Sequence, residues 1–281
     1  MNLDYKRVLY INFDEQTFEF KIHEDLWKYI GGIAVSYKLA LDNFEENPMI
    51  LTCGPLSGFF PYISKANFLY LDSGKFVEKY GGGNIATNMN LASIDAIVMV
   101  GRPKGFIKVT VYDKEVLFSE ELEKDFDKTI YDFVAKKSTI NSLGYFSFTN
   151  RPLDSFNLQG GFGIKVEASR SIDLNDFYDY ENLYQGFLNQ YKELTVEPRN
   201  NPSCAGCPMG CDNSAVGEDD LNIAILPRCL ISCGYAEEIY KNIPNVYAAL
   251  NSVGYRYHHS HLENLPRLVG EIRANFAKRN S

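Results

Sequence analysis

The chain has 281 residues, of which 45% are hydrophobic and 23% charged, with 19 Tyr, 19 Phe and a single Trp. This is the composition of a globular protein with a large aromatic core, and it excludes intrinsic disorder. The formal net charge of −8 argues against long-range attraction to nucleic acid or to an anionic membrane surface.

Val8 to Phe13 and Thr17 to Ile22 are short β-prone runs joined by Asp14-Glu15-Gln16, which predicts a hairpin. The opening MNLDYKRVLYINFDEQ has no signal-peptide core and no small-residue cleavage site, and no apolar run reaches the length of a membrane span. The expectation is a cytoplasmic protein. Residues 24–40 place Leu26, Tyr29, Ile30, Ile33 and Tyr37 at helical spacing, interrupted by Gly31-Gly32. Each glycine there costs about 1 kcal/mol relative to Ala, so the pair suggests that something approaches the backbone closely. Further strands are expected at 49–53, 67–71, 95–100, 106–112 and 143–149. Residues 120–136 carry Leu122, Phe126, Ile130, Phe133 and Val134 on one helical face and predict a helix.

The character changes near residue 170. From Ile172 to Leu194 the apolar groups follow a helix period, and Glu197 to Pro202, with two prolines and two asparagines, reads as a loop. Tyr235 to Tyr240 and Asn245 to Val253 are expected to be helical, split by Pro244 and ended by Gly254. Ser260 with Glu263 three residues on forms a capping-box pattern for a last helix, whose apolar face is Leu262, Leu265, Leu268, Val269, Ile272 and Phe276. The fold class expected is α+β: a β-rich domain over 1–168, then a small helical region over 169–281 that holds the cysteine cluster.

Six cysteines are present, and five of them, Cys204, Cys207, Cys211, Cys229 and Cys233, fall near the C-terminus. In a reducing compartment such a cluster points to metal or redox chemistry rather than disulfides. Cys204-Ala-Gly-Cys207-Pro-Met-Gly-Cys211 has the spacing C-x2-C-x3-C. A short loop of this kind wraps one corner of a cube-shaped cluster, each thiolate reaching a different iron. Cys229 or Cys233 supplies the fourth ligand. Tetrahedral zinc and unligated thiols are the alternatives. Cys53 stands alone and reads as a small buried hydrophobe. His258, His259 and His261, clustered before the last helix, read as solvated.

Several segments in order resemble the tungsten- or molybdenum-dependent aldehyde ferredoxin oxidoreductases. They are Tyr10-Ile11-Asn12-Phe13, Trp27 to Gly32, Asn47 to Gly58, Gly81-Gly82-Gly83 with Ala92 to Val98, Gln159 to Gly163, Cys204 to Cys211 and Gly270 to Asn275. The resemblance covers most of residues 5–165 and, more loosely, 200–278. It implies an N-terminal β domain that cradles a metal held by two pterin dithiolenes, beside a [4Fe–4S] cluster that passes electrons to ferredoxin. The residues it points to are Gly81, Gly82, Gly83, Gly160, Gly161 and Gly163 for pterin, where backbone N–H groups meet phosphate without a side chain in the way. Cys204, Cys207, Cys211 and Cys229 are the implied cluster ligands, and Cys229 is preferred over Cys233 because it aligns with the family's fourth cysteine.

The departures are specific. The family's arginine after "SG" aligns near Asn67, and the arginine of "GRGG" is Gln159, which removes bidentate partners for a phosphate. In the "DxxGLC" segment, Ala224 replaces the aspartate and Pro227 the glycine. Family members are much longer, and the stretch without a counterpart here carries their acid–base residues. The resemblance therefore implies a shortened, divergent member: a redox protein with a [4Fe–4S] cluster that relays electrons, without a complete catalytic site. One alternative is a non-enzymatic partner, regulatory or pterin-carrier subunit. The other is an active tungsten- or molybdenum-pterin aldehyde oxidoreductase. Expected partners are ferredoxin or another redox protein, and a second copy or a full-length relative.

Overall fold

The computed structural model describes residues 4–72, 74–126, 129–137, 139–142, 158–169, 177–194, 224–231, 233 and 236–279. Cys204, Cys207, Cys211, the strand expected at 143–149 and the loop expected at 197–202 lie outside the described residues.

The first hairpin forms as the alternation predicts. β1 (Lys6–Asn12) pairs antiparallel with β2 (Thr17–His23). Asn12 Oδ1 accepts the Asp14 and Glu15 N–H groups in the turn, at 3.0 and 3.2 Å, an Asx arrangement that favours reversal. The helical pattern at 24–40 is split. A 3-10 turn at Trp27–Tyr29 ends at Ile30, whose φ is +66°, and α1 (Gly32–Asp42) starts at Gly32 with φ +51°. The glycine pair is a junction rather than a flaw inside one helix.

β3 (Met49–Cys53), β4 (Ala66–Asp72), β5 (Lys75–Gly81), α2 (Ile85–Leu91) and β6 (Ala96–Val100) follow. Among the described residues, one sheet runs β2-β1-β6-β3-β4-β5, with β1 and β6 parallel and the other neighbours antiparallel. The next elements are β7 (Phe106–Val111), β8 (Val116–Glu121), α3 (Glu123–Phe126), β9 (Phe133–Lys136), β10 (Thr139–Ser142) and β11 (Gly161–Val166). They build a second sheet, β10-β9-β11-β7-β8, with β11 and β7 parallel. The helix expected over 120–136 is thus replaced by two strands and one helical turn. Leu122 and Ile130, two of its apolar markers, are 64% and 67% exposed, so they belong to no buried face. Val116 and Phe118 turn inward on β8, as Phe133 and Ala135 do on β9.

The two sheets face each other across an apolar layer. Leu9, Ile11, Leu51, Phe68 and Ile97 come from the first, Val109, Val111, Phe133, Phe162 and Ile164 from the second. The opposite face of the first sheet (Val8, Ile50, Leu69, Ala96, Val98) packs against α1. Helices α4 (Phe177–Gln190), α5 (Ile225–Leu230), α6 (Glu237–Tyr240), α7 (Ile243–Ser252) and α8 (His259–Arg279) share that core. α7 is capped by Asn242, whose Oδ1 accepts the Asn245 N–H at 3.2 Å. Pro244 falls in its first turn, where its missing N–H leaves no bond unmade. α8 begins at His259, one residue before the expected start, and buries Leu262, Leu265, Val269, Ile272 and Phe276. α1 is therefore enclosed between the sheet and the C-terminal helices, and its sequence GIAVSYKLALD is apolar nearly all round for that reason.

Candidate functional site

Cys229 and the two glycine-bearing turns that resemble the family meet at the start of α1. A Cβ on Gly32 would stand 2.5 Å from the Cys229 carbonyl oxygen and 2.6 Å from that of Arg228. Gly31 lies beside the Cys229 carbonyl and the Pro55 ring, and a Cβ on Gly54 would overlap the Leu230 carbonyl outright. What approaches these glycines so closely is the backbone of α5. Ile231, in the left-handed conformation at φ +55°, ends that helix.

The docking puts Cys229 fully out of solvent. Burial pushes its thiol up to about 12, opposed by the Ala34 backbone N–H and by Arg228. Ala34 lies in the first turn of α1, so the sulfur sits at the positive end of an 11-residue helix. Cys233 is also buried, and its N–H donates to the Tyr62 carbonyl at 2.7 Å. The Tyr240 hydroxyl, buried on α6, donates to the Pro61 carbonyl at 2.6 Å and fixes the same loop. Cys53 lies apart. Its buried thiol donates to Asn90 Oδ1 at 3.2 Å, and burial raises it far above the ordinary range.

One carboxylate ties these elements together. Glu78 on β5 accepts hydrogen bonds from Tyr37 of α1, from Tyr80 Oη at 2.8 Å and from Arg228 of α5. Arg273 of α8 lies 3.6 Å from the oxygen that Tyr37 reaches and donates to Tyr37 Oη at 2.8 Å. The Glu78 and Arg228 side chains are 7% and 9% exposed. Burial alone would raise the Glu78 carboxyl, but Arg228 and the hydrogen bonds from Tyr37, Arg228 and Tyr80 outweigh it and hold the group below its ordinary value. Neither Glu78 nor Arg228 stands out as a functional residue in the sequence.

The glycines assigned to pterin fall into two groups. Gly81 ends β5, in register with Ala66, and is followed by buried Gly82 and Gly83, the last at φ +87°. Gly160, Gly161 and Gly163 lie at the second sheet, where the chain itself fills the space a side chain would take. Gly160 abuts the Gly105 carbonyl, Gly161 would place a Cβ 3.0 Å from the Ala135 carbonyl, and Gly163 packs under the Tyr131 ring. Asn67, at the position of the family's arginine, is fully buried and committed: its Oδ1 accepts from Ser36 Oγ at 2.8 Å and its Nδ2 donates to the Lys79 carbonyl at 3.3 Å. Gln159 is exposed. Gly160, Gly161 and Gly163 leave no open cradle for a pterin phosphate, and Asn67 and Gln159 offer it no cation where the family has arginine.

His258 and His259 are exposed, while His261 sets its edge on Trp27, ring centroids 4.4 Å apart. No group of three or more His, Cys, Asp or Glu that could hold a metal occurs among the described residues. Open clefts lie elsewhere. One of about 720 Å³ runs between α4 and α7 beside Leu183, Phe187 and Tyr247, and one of about 760 Å³ follows residues 102–107. No helix among the described residues is long and apolar enough to cross a membrane.

Two facing sheets, with α1 and a cysteine-bearing helix clamped on the outer face of one of them, define a β-rich, helix-capped α+β protein. Residues 8–138 match the family described as aldehyde ferredoxin oxidoreductase, N-terminal domain. That stretch of the chain is similar to the N-terminal domain of the aldehyde ferredoxin oxidoreductases. A solved structure described as the active site complex BamBC of benzoyl coenzyme A reductase, in complex with 1,5-dienoyl-CoA, is similar with a TM-score of 0.55 and 14% identity. The similarity covers 74% of this chain and 38% of that one, and at this identity it is a likeness of fold. No curated protein matches the sequence.

Proposed function

We propose that this chain is an aldehyde ferredoxin oxidoreductase-like redox protein that binds a [4Fe–4S] cluster through Cys204, Cys207, Cys211 and Cys229 and relays single electrons to ferredoxin or another redox protein. The family that residues 8–138 match suggests the oxidoreductase class. The observation that supports the ligand is the setting of Cys229: a sulfur in an apolar core, facing a backbone N–H at the start of α1 and held by a docked helix. That donor set fits a metal-bound thiolate. Burial opposes the free thiolate, coordination to a metal removes the proton outright, and N–H donors and a dry surround tune such a centre.

When bound, the cluster supplies one-electron transfer at a potential set by charge, hydrogen bonding and solvent access. This chain's part is to hold the sulfur in place. The glycines at 31, 32 and 54 let α5 seat, and Glu78 grips Arg228 next to the ligand. No step is assigned to pterin, because Gly160, Gly161 and Gly163 leave it no open cradle. A second reading is a subunit that works with a partner, either a second copy or a full-length relative. It is favoured by the similar fold in a structure titled as the complex BamBC.

The test is anaerobic purification with iron, sulfide and zinc analysis and visible absorption. The proposal expects a brown protein with iron and sulfide, and Cys207→Ser is expected to bleach it while the β-rich region stays folded. A colourless protein containing zinc, or colour unchanged by Cys207→Ser, refutes the assignment.

A further inference from the structure

The outer strand of the first sheet has a sequence complementary to itself. Among the described residues β2 is an end strand of that sheet, with β1 on one side and no strand on the other. Phe18, Phe20 and Ile22 lie opposite Ile11, Leu9 and Arg7, on the face turned toward the second sheet. Phe20 is partly buried there, with the Arg7 guanidinium 4.0 Å from its ring centre, whereas Phe18 and Ile22 are 39% and 52% exposed. On the other face Glu19 and Lys21 meet at 3.0 Å, and both side chains are exposed. A bare strand edge is a template for a further strand, and native edges are ordinarily very short, bulged or covered.

We infer that β2 is the seam of a symmetric dimer, in which the partner is a second copy of this chain and the two β2 strands pair antiparallel about Phe20. The run Phe18-Glu19-Phe20-Lys21-Ile22 is apolar at its centre, oppositely charged one step to either side and apolar again beyond. A two-fold axis at Phe20 sets Phe20 against Phe20, each Glu19 against the partner's Lys21, and each Phe18 against the partner's Ile22. Opposite charges and apolar pairs directly across two strands are favourable, and like charges there are not. Moving the axis by one residue sets Glu19 against Glu19 or Lys21 against Lys21, so charge selects the register. Lysine on an edge strand ordinarily discourages pairing, but here each Lys21 meets a carboxylate. The pairing joins the two six-stranded sheets into one, gives the backbone groups along both edges partners, and gathers the exposed apolar side chains of both copies on one face. Contact of one patch with itself about a two-fold axis is the commonest assembly of identical chains. A seam of one seven-residue strand per copy is small for a stable interface, so the dimer is expected to dissociate in the micromolar range. The inference deepens the second-copy reading above and rests on it, and it is independent of the cluster.

The experiment is sedimentation velocity of the full chain, purified without oxygen, over about a hundredfold range of concentration that spans the micromolar. It compares wild type, Glu19→Lys, Lys21→Glu and an equimolar mixture of the two variants. Each variant alone meets like charges across the seam and is expected to dimerise at least about tenfold more weakly than wild type. In the mixture one chain brings two acids and the other two bases, so attraction returns at both positions and the dimer is expected to return with it. A role confined to the contact of Glu19 with Lys21 inside one chain gives no such rescue, because mixing cannot repair it. Both side chains are exposed, so circular dichroism is expected to show the variants folded as wild type. A wild type that stays monomeric over the whole range overturns the inference, as does one that associates only with a different protein. A wild-type dimer that neither variant weakens, or that mixing does not restore, overturns the β2 seam and leaves the second-copy reading standing. Iron and sulfide analysis of the same samples reports on the cluster assignment separately.

Discussion

Arg228→Met removes the guanidinium from Glu78 and leaves a carboxylate 7% exposed, with Arg273 at 3.6 Å and the Tyr37 and Tyr80 hydroxyls as its remaining partners. Breaking one side of a buried ion pair costs about 3–5 kcal/mol. The surviving donors place this case near the lower end, about 3 kcal/mol. Replacing both members, in Arg228→Met with Glu78→Met, removes the stranded charge and is expected to cost less than Arg228→Met alone, a coupling that independent sites do not show. The pH dependence carries a sign as well. The folded Glu78 carboxyl is held below its unfolded value, so its contribution is fully present above about pH 4.3 and is lost as pH falls through the folded value. Glu78→Gln abolishes that part of the acid sensitivity. Urea unfolding at neutral pH and across the acid limb measures all of this. A loss under about 1 kcal/mol for Arg228→Met, or a double variant as costly as the two single ones added, refutes the view that this carboxylate locks α5 to the sheet.

Gly54→Ala forces a methyl group into the Leu230 carbonyl. The obstruction is backbone and cannot swing aside, so the cost is expected at the top of the overpacking range, about 3 kcal/mol, with faster hydrogen exchange confined to residues 225–231. Unchanged thermal stability contradicts the docking described for α5. Cys53→Ala loses the weak bond to Asn90 and is expected to cost about 1 kcal/mol while leaving iron content untouched. Loss of iron in that variant would make Cys53 a ligand.

The hairpin of β1 and β2 is legible because polar and apolar residues alternate beside a turn of Asp, Glu and Gln. The last helix is legible because Leu262 to Phe276 repeat on one face. Residues 120–136 mislead because Leu122 and Ile130 are exposed apolar groups that fall at helical intervals by coincidence. β5 and β11 carry too many polar or glycine positions to announce themselves as strands. At the candidate site the cysteines are conspicuous, and Gly31-Gly32 correctly signals a close approach, though not by what. Glu78 is invisible in the sequence because its partners Tyr37 and Arg228 lie 41 and 150 residues away, and no local pattern encodes a contact of that span.

The enclosure of α1 has a consequence during synthesis. A nascent chain that has left the ribosome through residue 168 already contains α1, while the segments that cover its outer side, α5 and α8, follow only after residue 224. Until then the apolar side of α1 opposite the sheet is bare, and such surfaces are what chaperones bind and what seeds aggregation. Expression without the C-terminal helices should therefore yield a chain that needs a chaperone to stay dispersed.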